Sequence, residues 1–142
     1  MIQSNELRIG NYVNLNDGSE HDKIRQISGI EHKIVYTLIK GCRFAQVYQS
    51  FDRIYPIPLT EEILLKCGFT KVPLESNNPE EGYYYSLRLS DYKYCDLSLL
   101  SGDNNGIFEV YLFPYDNIRL QYLHQVQNIY QSITGKELEV NL

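Results

Sequence analysis

Apolar and polar positions change rhythm near residue 58. Before it, short β-type runs recur at Tyr12 to Leu15, Lys23 to Ile30, Ile34 to Ile39, Arg43 to Tyr48 and Arg53 to Ile57. Asn16-Asp17-Gly18 and Lys40-Gly41 punctuate them with residues that accept the positive φ of tight hairpin turns. Strands this short would leave exposed edges in a flat sheet, whereas curling pairs most of them. The pattern predicts a small SH3-like β-barrel over residues 1–58.

The link beyond it has helix grammar. Pro56 and Pro58 forbid a continued central strand, Thr60 can accept from an early helical amide, and Glu61 and Glu62 place negative charge at the positive end of the dipole. Ile63, Leu64 and Cys67 share one face, Gly68 suits the left-handed position past the end, and Phe69 can pack back on the last turn. A helix from Thr60 to Cys67 follows, and Val72 to Gly82 is expected to be an exposed loop.

Period-two alternation then takes over. Tyr83, Tyr85, Leu87 and Leu89 alternate with Tyr84, Ser86, Arg88 and Ser90. Cys95, Leu97 and Leu99, with Phe108, Val110 and Leu112, continue the inward set, which leaves Tyr94, Asp96, Ser98, Glu109 and Tyr111 on the opposite face. Between Gln121 and Thr134, Leu123, Val126, Ile129, Tyr130 and Ile133 recur at helical spacing. Residues 59–142 thus read as an α+β unit: a short helix, a three-stranded antiparallel meander, and a C-terminal helix expected to cover its inward face.

Three blocks carry a resemblance: Glu6 to Val13, Pro56 to Phe69, and Tyr122 to Leu138. Together they resemble small uncharacterised proteins encoded by Bacteroides-type gut bacteria, often in prophage or other mobile regions. The resemblance implies a cytoplasmic accessory protein of a bacterium or its phage. It brings no catalytic or binding residues, since no activity is established for that group.

Composition narrows the function classes. Charged residues are 22% and hydrophobic residues 43% of 142, which is globular rather than disordered composition. No apolar run approaches the ~18 residues of a membrane span, and the first residues lack a signal-peptide pattern, so a cytoplasmic protein without membrane contact is expected. Cys42, Cys67 and Cys95 are odd in number and widely spaced, which predicts reduced thiols. Through Pro58 there are seven Lys/Arg against six Asp/Glu, and from Leu59 onward six against twelve. The acidic back half argues against wrapping nucleic acid. Only the front could do so, with Lys23, Arg25, Lys33, Lys40 and Arg43 on phosphates and Tyr36 or Tyr48 as stacking platforms.

Candidate chemistry is sparse. His124 and Asn128 stand four apart on the last helix, with no activated nucleophile at a recognised spacing, so a helix-surface or capping role is expected. His21-Asp22 and His32 do not complete a metal site, and Glu61-Glu62 and Glu80-Glu81 do not converge on one bond. No phosphate loop is present, and no cofactor or metal is expected. An enzyme could still be assembled from distant segments.

The one compositional outlier is tyrosine, at 13 residues with no tryptophan. Its rigid apolar body and polar tip suit a surface that is both solvated and adhesive. Tyr84, Arg88, Tyr94, Asp96, Glu109 and Tyr111 fall on the meander face opposite the helix. They form the candidate site of a non-enzymatic module that binds a protein partner or itself.

Overall fold

The computed structural model describes residues 2–16, 23–32, 34–38, 46–74, 82–89, 96–101, 107–112 and 115–142. Its contacts group residues 1–57 with 122–128 and residues 58–121 with 129–142. The chain is α+β, and its described residues form two five-stranded antiparallel sheets and two α-helices.

The first unit holds β1 (Tyr12–Leu15), β2 (Lys23–Glu31), β3 (Ile34–Leu38), β4 (Gln46–Ser50) and β5 (Ile54–Tyr55), in sheet order β4-β3-β2-β1-β5. Alternation turns Val13, Leu15, Ile27, Val35 and Ile54 to one side, where they join Ile2 and Leu7 in the core. Burying each such side chain stabilises the fold by about 1.5–3 kcal/mol. A register shift between Ile27 and Gly29 sets Gly29 opposite Tyr36. A Cβ at Gly29 would lie 3.3 Å from Tyr36 Cδ2, so glycine leaves room for that ring beside β2.

The expected closed barrel is not formed. The sheet is open, because β5 is two residues long, follows a 3-10 turn at Phe51–Arg53 and runs into Pro56. It reaches only far enough to pair with β1, through Asn14 and Leu15. The turns expected at Asp17-Gly18 and Lys40-Gly41 lie outside the described residues.

The second unit begins with α1 (Glu61–Lys66), whose ends follow the sequence closely. Thr60 Oγ1 accepts the Ile63 N–H at 3.2 Å. At the other end Gly68 takes φ +85°, Phe69 N–H donates to Leu64 O at 3.1 Å and Gly68 N–H to Leu65 O at 3.0 Å, a Schellman pair. Then come β6 (Thr70–Pro73), β7 (Tyr83–Arg88), β8 (Asp96–Ser101), β9 (Phe108–Leu112) and β10 (Tyr115–Leu120), consecutive neighbours in one sheet. Tyr85, Leu97, Leu99, Phe108 and Val110 are buried, as the alternation requires.

Two differences from the sequence reading stand out. The meander has five strands rather than three, and β6 occupies part of the expected loop at Val72 to Gly82. Only Val72 of β6 is even half-buried, so this edge strand carries no alternation to read. The second difference concerns α2 (Leu123–Thr134). Its residues 123–128 belong with the first unit, not with the meander they were expected to cover. Polar side chains are the reason. Gln127 Nε2 donates to Gly10 O at 3.1 Å and its Oε1 accepts from Tyr12 N–H at 2.9 Å, while Asn128 Nδ2 donates to Glu6 O at 2.8 Å and its Oδ1 accepts from Asn11 Nδ2 at 2.9 Å.

Candidate protein-interaction face

Strand register assembles the outer face of the second sheet. Val72, Tyr84, Leu100, Glu109 and Arg119 line up as one row across all five strands. Thr70, Ser86, Ser98 and Tyr111 occupy the next row of positions. Beyond it Arg88 stands directly opposite Asp96. Four of the six candidates, Tyr84, Arg88, Asp96 and Glu109, are therefore brought onto one face. Tyr94 lies outside the described residues, and of Tyr111 only the strand position opposite Ser98 is described.

The charges on this face are paired loosely. Arg88 Nε stands 3.8 Å from Asp96 Oδ1, too far for a hydrogen bond, and that oxygen has no hydrogen-bond partner among the described residues. Asp96 Oδ2 instead accepts from Ser86 Oγ at 3.1 Å. Arg119 Nε lies 3.3 Å from Glu109 Oε1. Both arginine side chains are about 70% exposed, so each pair contributes at most about 1 kcal/mol to stability. The sequence reading missed Val72, Leu100 and Arg119. For Arg119 a signal existed in the Ile118-Arg119-Leu120 alternation.

Of the residues proposed for nucleic acid, only Arg25, Tyr36 and Tyr48 can be placed with their side chains. Lys33, Lys40 and Arg43 lie outside the described residues, and Lys23 is described only as a strand position opposite Leu15. Arg25 sits opposite Val13, whereas Tyr36 and Tyr48 face each other across β3 and β4 on the other side of the sheet. A cation and its stacking platforms are thus on opposite faces.

The catalytic candidates take structural positions. His124 was expected in a helix-surface or capping role, yet it is fully buried, stacked on Tyr122 with ring centroids 5.8 Å apart, and neither ring nitrogen has a hydrogen-bond partner among the described residues. Burial lowers its pKa, and the Glu6 carboxylate offsets this in part. Cys67 is buried, and desolvation pushes its thiol up to about 12, far from a reactive thiolate. Glu61 anchors α1 to the sheet: Lys71 Nζ reaches its two oxygens at 3.0 and 2.9 Å, and Tyr85 Oη donates to Oε2 at 2.9 Å. Those bonds, Lys71 first, hold the Glu61 carboxyl below its ordinary pKa. Burial and the same Glu61 push Tyr85 up to about 12, the reverse of activation. His21 lies outside the described residues, and His32 occupies the β2–β3 turn with φ +47°.

Comparison with protein-family models, with curated proteins and with solved structures returns no match.

Proposed function

We propose that the protein is a non-enzymatic interaction module that binds a protein partner, or a second copy of itself, through the outer face of its second sheet. The row from Val72 through Tyr84 and Leu100 to Glu109 and Arg119 carries this reading. It places a half-buried aromatic between two aliphatic neighbours and ends in a charged pair, the arrangement of an anchor bordered by a polar rim. The charges cost the fold little to re-pair, so a partner can recruit Arg88 and Arg119. Protein interaction surfaces favour arginine and tyrosine for the same reasons of rigidity and bidentate bonding.

The first unit reads best as an SH3-like sheet. Its strand order, with a 3-10 turn between β4 and β5, supports that assignment. No described helix is long and apolar enough to cross a membrane, and a cytoplasmic accessory role in a bacterium or its phage accords with the resemblance of the three sequence blocks. The test replaces Tyr84, Tyr94 and Tyr111 with serine and compares partner capture in pull-down with the wild type. Loss of binding in a folded triple variant supports the face. Unchanged binding removes it.

A further inference from the structure

Among the described strands the two sheets leave four edges, and three of these carry protection against pairing with another chain. β5 has two residues and runs into Pro56, β6 contains Lys71 and ends at Pro73, and β10 carries Asp116 and Arg119 with a register shift between residues 116 and 118. Short length, lysine, proline and bulges are the devices that blunt sheet edges. β4 has none of them. Gln46-Val47-Tyr48-Gln49-Ser50 is an uncharged, proline-free strand that pairs with β3 in unbroken register, and no described strand lies beyond it.

The direction of its backbone groups follows from one hydrogen bond. Val47 O accepts from Thr37 Oγ1 of β3 at 3.3 Å, so residue 47 turns its carbonyl inward. Alternation then turns the N–H and C=O groups of Gln46, Tyr48 and Ser50 outward. Tyr48 is also 71% exposed. Charge separates this edge from those of the second unit. The first unit has seven Lys/Arg against six Asp/Glu, while the second has six against twelve. Opposite charges are thus nearly balanced within the unit that carries this edge.

From this unprotected edge we propose that two copies of the chain pair antiparallel through β4, about a twofold axis at Tyr48. Tyr48 then faces its own copy, and Gln46 of each copy faces Ser50 of the other. Such a contact is isologous and closes as a dimer rather than extending as a fibre. It is small, so the dimer is weak and concentration-dependent. It uses a different unit from the sheet face proposed above.

Analytical ultracentrifugation from low-micromolar to submillimolar protein tests the pairing. The wild type is expected to rise towards twice the monomer mass. Tyr48→Pro removes an outward N–H, which an edge strand tolerates, and Tyr48→Lys adds a charge at the axis. Both are expected to stay monomeric at every concentration, whereas the Tyr84/Tyr94/Tyr111 serine variant keeps the dimer. Hydrogen exchange on the wild type gives a second readout independent of variant folding: the Tyr48 and Ser50 amides gain protection as concentration rises. A wild type that stays monomeric, a dimer that survives in the folded Tyr48 variants, or exchange at these amides unchanged by concentration overturns the proposal.

Discussion

Gln127 binds Tyr12 as a neighbouring strand would: its Oε1 accepts the Tyr12 N–H at 2.9 Å while its Nε2 donates to Gly10 O at 3.1 Å. One fully buried carboxamide thus satisfies backbone groups on both sides of Asn11. An unsatisfied buried amide costs about 1–3 kcal/mol. Gln127→Leu is therefore expected to destabilise the first unit by about 2–3 kcal/mol, measured by urea unfolding. Loss of less than about 0.5 kcal/mol would show that water or a rearranged side chain replaces the bond.

His124 gives stability a pH dependence in a window of its own. Its folded pKa lies below the ordinary 6.5, so the native state favours the neutral ring. The unfolded chain binds the proton first as pH falls, and stability is full above about 6.5 and declines below it. Glu61 and Glu62, lowered by Lys71 and Lys66 respectively, lose their contributions only below about 4.5. Urea midpoints at pH 7.5 and 5.5 isolate the histidine. His124→Phe is expected to flatten that difference without loss at pH 7.5, since it also removes two unpartnered nitrogens.

His32 holds φ +47° in a turn between Glu31 and Ile34, where a side chain other than glycine is disfavoured. Relief of a left-handed residue is worth about 1 kcal/mol. His32→Gly should raise the thermal midpoint, and a fall would show that the imidazole makes a compensating contact.

Thr60 caps α1 through the Ile63 amide. Thr60→Ala is expected to cost about 1 kcal/mol in chemical denaturation, with Thr60→Asp restoring most of it.

Much of the local structure was legible because it rests on short-range chemistry. Thr60, Gly68 and Phe69 terminate α1 within a single turn of sequence, and Tyr85, Leu97, Leu99 and Val110 alternate as a one-sided sheet must. Failures came where no local rule applies. β6 has an edge strand's indifferent burial, so no alternation marks it. The backbone bonds of Gln127 and Asn128 were not legible, because a buried carboxamide is indistinguishable from an exposed one until its backbone partners are known. On the outer sheet face, Tyr84, Arg88, Asp96 and Glu109 followed from parity alone, whereas Val72 and Arg119 needed the flanking strands.

The split membership of residues 1–57 and 122–128 has a bearing on biosynthesis. A ribosome delivers Tyr12 long before Gln127, so the front sheet leaves the exit tunnel without the amide that completes it. Nascent chains halted at residue 121 are accordingly expected to show rapid amide exchange at residues 10–12, and release of the tail to slow it.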